Sequence, residues 1–537
     1  MPNREPVPAS PAPPAAPPEP TEAPPSSSAD VYAIHGVEPE VQAYAMAKYS
    51  RSALSMKESL REISEQKAEK FLNTFYFQYG HRSIADLAHL AFALERLSLL
   101  AAIAVVDEPR WDGQERSTRY QDFSHPRYYV PGLGGSSELR QQFEAGIESL
   151  FAEYRQVSQD SYASLCARIP RPAEMSAEQY ERTLQARAFD IARYCLPLAT
   201  TTSLGQIVNA RTLESQISRL LCSPFEEVRE IGAKLKQAAR DAAYDPESSR
   251  KQELYQELQR YDAPAAQRFS GLLLKEVHPA PTLVKYAEPS RYAVETRTEL
   301  TSTAAELMAG IAIDSSPGVD LLDDEPVEIE LATTLLYEHC HHSYRQIREQ
   351  VEALSAARRQ GLIELGSKHR GPHDELLRVC CSGQRFRFDI LMDVGGFRDL
   401  HRHRRCIQIG QEFSFAHSFD TPDDIASSCF AGRYAAAMTR AAAAADEIAA
   451  QLASRGHGAQ SKDALYLMPL AYRKRTLFKM DFAEAVYISE LRTAPAGHFS
   501  YRHIAWQMYE AVGRRHPALA GYFRVHDPRE PSDLLQR

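Results

Sequence analysis

The sequence lacks any long hydrophobic run. Its longest strongly apolar stretch, 97–106, is far short of the ~20 residues that a membrane-spanning helix needs. No apolar h-region follows Met1, so no secretory signal is expected. No C-x-x-C pair occurs among the eight cysteines, at 166, 195, 222, 340, 380, 381, 406 and 429. That excludes a disulfide framework and the paired spacings of a structural zinc site, and predicts reduced thiols in a cytoplasmic protein. An excess of positive charge is also missing. The formal net charge is −9, which argues against a general nucleic-acid binder, so no DNA partner is expected.

What remains is a soluble composition, 44% hydrophobic and 25% charged, with a mean hydropathy of −0.42. At 537 residues the chain exceeds what one hydrophobic core usually serves, so two domains or more are predicted. Residues 1–29 hold a third of the prolines among Ala, Ser and Glu, a composition that reads as a disordered tail. Beyond it the chain repeats itself. His81-Arg82-Ser83-Ile84-Ala85-Asp86 has a partner in His341-His342-Ser343-Tyr344-Arg345-Gln346, and in each the Ser and the acid or amide three residues on form a capping-box pattern. Ala192-Arg193-Tyr194-Cys195-Leu196-Pro197-Leu198-Ala199 likewise matches Ala464-Leu465-Tyr466-Leu467-Met468-Pro469-Leu470-Ala471. Two copies are predicted, 30–275 and 276–537, with Thr282–Tyr286 restarting as a first strand.

The most chemically loaded stretch is Phe397-Arg398-Asp399-Leu400-His401-Arg402-His403-Arg404-Arg405. It follows Phe386–Ile390, whose alternation predicts a half-buried strand broken by Gly395-Gly396. Arg398, Arg402 and Arg405 at i, i+4 and i+7 are predicted to share a helix face. Such a concentration of guanidinium groups calls for anions, phosphate above all. The plain alternative is a solvated basic face. Glu338-His339-Cys340-His341-His342 invites a metal, but adjacent ligands diverge and zinc-type spacing is absent, so no metal is predicted.

Copy 1 carries Glu115-Arg116-Ser117-Thr118-Arg119-Tyr120, then Ala192-Arg193 before Leu196-Pro197, then Asn209-Ala210-Arg211. With Arg402-His403-Arg404, these motifs in this order resemble the flavin-dependent thymidylate synthases, the ThyX family. The resemblance covers nearly all of the chain outside the tail. It implies an α+β fold in two tandem domains, each with helices around a central, mainly antiparallel sheet. It also implies FAD as cofactor, NADPH and methylenetetrahydrofolate as co-substrates, dUMP as substrate, and a homodimer that forms a pseudo-tetramer.

The motifs are divided between the copies. Copy 1 has Asp107-Glu108-Pro109 where R-H-R belongs; copy 2 has Leu465, Asp481 and Ala483 in place of Arg193, Asn209 and Arg211. A late arginine of the family is present as Arg492, against Leu220 in copy 1. Glu412 falls two residues late after R-H-R, so either an insertion lies there or Arg404-Arg405-Cys406 takes the R-H-R positions.

Complementary loss predicts one composite site. The resemblance gives dUMP to Glu115, Ser117, Arg119, Arg193, Arg402 and Arg492, with Arg402, Arg193 and Arg492 orienting the uracil for reaction. It gives FAD to His81, Ser83, Asn209, Arg211, His341, Ser343, His403 and Arg404. Two rivals stay open: a diverged flavin- or nucleotide-binding homologue without synthase activity, and a flavin-dependent methylase of another pyrimidine or of RNA.

Overall fold

The computed structural model describes residues 36–48, 55–62, 82–119, 121–123, 127–371, 374, 376–456 and 461–530, with positions 32, 34 and 535. Two antiparallel sheets organise residues 38–537. One holds β1 (His89–Ser98), β2 (Asp112–Glu115) and β3 (Thr201–Asn209), in the order β1-β3-β2. The other holds β4 (Gly318–Leu321), β5 (Phe386–Asp393), β6 (Ile407–Gly410) and β7 (Arg473–Met480), in the order β4-β5-β7-β6. Apart from the added β4, the two sheets have the same topology. The α+β class and the tandem arrangement are thus present in the fold itself.

Strand register fixes which residues correspond. Ser98 pairs with Thr201 and Asp393 with Arg473; Asp112 pairs with Ile207 and Ile407 with Lys479. Ser98 and Asp393 cap the following helices, Leu99–Val106 and Val394–Leu400, and Asn209 and Asp481 cap Ala210–Leu221 and Phe482–Thr493. The stretch from cap to second strand has the same length in both halves. Asp107-Glu108-Pro109 therefore falls on Arg402-His403-Arg404, and Glu115 on Gly410. There is no insertion before β6 and no shift of the R-H-R positions. Glu412 is simply not the counterpart of Glu115.

The halves meet across a pseudo-twofold axis at the Leu-Pro and Met-Pro segments. Leu198 N–H donates to Met468 O (2.8 Å) and Leu470 N–H to Leu196 O (2.9 Å). Ala199 N–H donates to Tyr466 O (2.9 Å) and Ala471 N–H to Tyr194 O (3.2 Å). Such reciprocal contacts are the mark of an isologous interface, here made within one chain. The apolar residues of these segments are fully buried, and the main hydrophobic core runs from one half into the other. The long helices Ser137–Arg168 and Ala431–Ser454 pack on each other beside it. Length alone predicts separate cores; the axis merges them. A smaller satellite core lies wholly in the second half.

Three local expectations change. Thr282–Tyr286 is a turn, and the first strand of the second half is β4. β5 is buried at all eight positions instead of half-buried. Its polar residues are satisfied inside: Arg387 pairs with Glu325, while Asp389 accepts from Tyr344 N–H (2.8 Å) and Arg475 Nη1 (3.0 Å). Gly395-Gly396 lie within the first turn of the helix after the strand. Ser343 and Gln346 form the predicted capping box, whereas His81 and the Ser83 side chain lie outside the described residues.

Candidate active site

The carboxylate of Asp393 ends β5 and accepts from Gly396 N–H at 2.7 Å, starting the short helix Val394–Leu400. A Cβ at Gly396 would lie 2.5 Å from Ser500 Oγ, and one at Gly395 3.4 Å from Arg193 Nε. The glycine pair therefore lets this helix approach its neighbours. Because the helix stops at Leu400, Arg402 and Arg405 do not continue its face. Arg398 and Arg402 still converge, whereas Arg405 turns outward to pair with Asp481 on the surface at 2.9 Å.

The point of convergence is Glu115, the last residue of β2 in the other half. Its carboxylate meets Arg398 Nη2 through Oε1, and Arg402 Nη2 through Oε2 at 3.5 Å. The side chains of Glu115 and Arg398 are 5% and 6% exposed, while Arg402 is one-third open. Arg398 also donates to Thr118 Oγ1 (3.3 Å), and Ser117 Oγ accepts from Arg119 N–H (3.1 Å). The motif Glu115-x-Ser117-x-Arg119 thus curls around the arginines of the second half.

Arg119 donates to both oxygens of Asp190 (2.9 and 3.3 Å) and to Tyr501 Oη (3.0 Å). Burial works against its charge, but Asp190 outweighs burial and the net shift is upward. Arg193, only 1% exposed, reaches Asp399 Oδ2 at 3.2 Å. Burial would raise the Asp399 carboxyl; Arg193 and Arg119 more than offset it and hold it below the usual range. Nε and Nη2 of Arg193, and Nε of Arg398, are buried with no hydrogen-bond partner among the described residues. Buried guanidinium donors left this way are a reservoir for an anionic ligand.

Arg492 donates from Nε to Nε2 of His403 (2.8 Å), and its guanidinium lies 5.4 Å from the Tyr501 ring centroid. The Nδ1 side of His403 faces Glu484 at 3.4 Å. The ring therefore carries its proton on Nδ1 and offers a lone pair at Nε2, and burial keeps it neutral by lowering its pKa. Arg404 stacks 4.8 Å over Trp111 of the first half and donates to Trp111 O (3.1 Å). Burial, then the nearby charge of Arg402, lowers its pKa to about 10.

Contacts between the halves thus involve Glu115 with Arg402, Arg193 with Asp399, Arg404 with Trp111 and Arg119 with Tyr501, and Arg492 lies against the same Tyr501 while bonding His403. Ser117 lies between Glu115 and Arg119 in the sequence. Arg211 lines a different cavity, with Pro109, Arg110 and Arg219 of its own half. Asn209 Oδ1 caps its helix on Thr212 N–H (2.8 Å), and Arg211 pairs with Asp86 (3.4 Å), which Arg110 also meets (3.5 Å) beside Trp111.

His341 and Ser343 are not brought to this place. His341 packs edge-on against His417, with ring centroids 6.0 Å apart, and Ser343 is occupied as a cap. His339 and His342 point to Thr301 and Ile311, and among the described residues no His, Cys, Asp or Glu cluster is arranged to hold a metal.

Arg398, Asp399, Asp190 and Tyr501 complete the cluster without belonging to a motif. Arg398 has a sequence signal one turn before Arg402, and Asp399 is the single acid in the basic run. Asp190 and Tyr501 have none.

A family model described as "Thymidylate synthase complementing protein" matches residues 34–243 and again 320–518. The chain belongs to this family. The double match coincides with the two sheets and the helices that follow them. A "UPF0159 protein" of Chlamydia pneumoniae is 26% identical over 544 residues, 93% of this chain and 92% of that protein. One of Thermoplasma acidophilum is 25% identical over 518 residues, 90% of this chain and 94% of its own. A "Flavin-dependent thymidylate synthase" of Clostridium tetani is 26% identical over 194 residues, 36% of this chain and 74% of that enzyme. No helix among the described residues is long and apolar enough to cross a membrane.

Proposed function

We propose that the chain is a flavin-dependent thymidylate synthase, methylating dUMP to dTMP at the composite site. The observation that carries this reading is Glu115 of the first half held between Arg398 and Arg402 of the second. Each half keeps motifs that the other has lost, and the contact of Glu115 with Arg402 supports reading them as one site.

In this reading Arg402, Arg193 and Arg492 hold the nucleotide and polarise the uracil carbonyls, with Ser117 donating to phosphate. Arg119, already on Asp190 and Tyr501, braces the wall of the pocket. Glu115 keeps two guanidinium groups in register, so that their remaining donors face the same anion. His403, Arg404, Asn209 and Arg211, with the His81–Ser83 segment, take the flavin side. The unpaired donors on Arg193 and Arg398 suit an anionic group, and the Arg404–Trp111 stack supplies a flat wall. When bound, FAD supplies hydride chemistry fed by NADPH, with the carbon coming from methylenetetrahydrofolate. Units 30–275 and 276–537, pairing of two chains into a pseudo-tetramer, and a cytoplasmic setting belong to the same proposal.

The test is an assay of purified protein with FAD, NADPH, methylenetetrahydrofolate and dUMP. Formation of dTMP is expected, with rescue of a thymidine auxotroph that is lost in Arg402→Ala and Arg193→Ala. A yellow protein that makes no dTMP leaves the binding homologue or a methylase of another pyrimidine instead. Rescue by Arg402→Ala would overturn the composite site.

A further inference from the structure

The pseudo-twofold axis generates a second location. Rotated through it, Arg398, Asp399 and Arg402 become Ile103, Ala104 and Asp107, while Glu115 and Arg193 become Gly410 and Leu465. All five replacements line one cavity of about 360 Å³. The charge pairs have gone in matched fashion. Arg398 with Glu115 is replaced by Ile103 with Gly410, and Arg193 with Asp399 by Leu465 with Ala104. Losing one member of either pair would have orphaned the other at depth, which is costly, and in each pair both members are gone. The cavity itself did not collapse.

It has acquired groups of its own. Lys474 is 7% exposed, and its Nζ lies 4.4 Å from the centroid of Phe413 and 5.5 Å from that of Phe397. It donates to Gln411 O, and no carboxylate among the described residues forms an ion pair with it. Thr476 Oγ1, Gln411 Oε1 and His401 Nε2 belong to residues that line the cavity, and all three are buried with no hydrogen-bond partner among the described residues. Gln411 donates through Nε2 to His342 O, so its orphan is an acceptor. His401 faces Gln408 Oε1 through Nδ1 at 2.8 Å, which puts its proton there and leaves Nε2 as a second acceptor.

We propose that this cavity is a second small-molecule site, for a planar heterocycle that carries an anionic group. The phenyl rings of Phe397 and Phe413 give it flat apolar walls. Burial lowers the Lys474 pKa to about 8 against the nearby Asp107, Glu412 and Glu338, which leaves it mostly a cation at neutral pH with no direct ion pair among the described residues. Thr476 donates to a ring acceptor, while Gln411 and His401 accept from ring N–H groups. The other charges around it are accounted for. Asp107 is paired with Arg378 at 2.5 Å and also lies 3.8 Å from His401 Nε2, beyond hydrogen-bond distance, and Glu412 is paired with Lys462 at 2.9 Å. Arg219 is paired with Glu108 at 2.7 Å, and Arg297 adds a cation at the rim. Burial pushes the Glu338 carboxyl up to about 7, so it repels an anion only weakly at neutral pH. The pocket does not rest on the catalytic reading, because none of its residues serves the composite site.

The experiment is calorimetric titration with dTMP, AMP and GMP in turn, in an Arg402→Ala background that disables the first site. At least one nucleotide is expected to bind with one site per chain. Lys474→Met should weaken that binding at least tenfold, and Thr476→Val, which removes only an unpartnered hydroxyl, at least threefold. Absence of binding by all three nucleotides overturns the proposal, as does binding that neither change alters. The catalytic reading fails separately: a wild-type protein that makes no dTMP loses that reading and leaves the second site standing. Lys474→Met on its own should still make dTMP.

Discussion

Glu115 Oε2 lies 3.5 Å from Arg402 Nη2, although 287 residues separate them, and Arg398 closes on the same carboxylate from one helical turn earlier. Removing the carboxylate strands a buried guanidinium, a loss of about 3–5 kcal/mol when one partner of a buried pair is taken away. Glu115→Ala should therefore lower the melting temperature as well as activity. The double variant Glu115→Ala/Arg398→Met should recover most of the stability and none of the activity. Thermal melting beside the dTMP assay checks both. Equal melting temperatures for the single and double variants would show that the pair is not coupled.

Pro109 and Arg404 occupy equivalent positions in the two halves, but only Arg404 stacks on an indole. Arg404→Ala should weaken FAD binding by an order of magnitude or more, while Pro109→Ala, on an exposed turn, should leave it within a factor of two. Flavin absorbance after gel filtration reads the difference. Comparable flavin loss in both variants would remove Arg404 from the cofactor side.

Burial holds His339, His341 and His401 near pH 4 and His417 near 3. Unfolded, each titrates near 6.5. Between those values the unfolded chain binds more protons than the folded one, so stability rises with pH in that window and is lost on acidification. A buried imidazole shifted this far gives up roughly 2 kcal/mol between pH 6.5 and 5. The Glu338 carboxyl, held up near 7, works the other way in this window, but four such rings outweigh it, so melting temperature should fall from pH 7 to 5. A flat profile across that range would show that these rings take up protons in the folded state.

Residues 30–275 and 276–537, expressed separately, should each be insoluble or unstable, because the Leu196–Ala199 and Met468–Ala471 segments would expose their shared core. Co-expression should restore a soluble pair. A stable, monomeric 30–275 fragment would show that the halves do not need one another.

The repeat and the division of motifs were legible because they rest on short, ordered strings of residues, and the α+β class came with the family that those strings resemble. Periodicity was less reliable. The spacing of Arg398, Arg402 and Arg405 suggests one face, yet Leu400 ends the helix and Arg405 leaves. Alternation at Phe386–Ile390 suggests a solvated side, yet Glu325, Tyr344 and Arg475 meet its polar residues inside. Asp190 and Tyr501 were invisible, since their roles arise only from tertiary contact with Arg119. The correspondence of Arg402 with Asp107 needed strand register, which motif spacing around Glu412 obscured.

The reciprocal hydrogen bonds at Pro197 and Pro469 have a further consequence. In an ordinary homodimer every substitution appears on both sides of the axis, so neither side can specialise without the other. Here the two sides are different stretches of one covalent thread and inherit mutations independently. Occupancy by flavin should accordingly be one equivalent per polypeptide, and a dimer of such chains should carry two where four equal subunits would carry four.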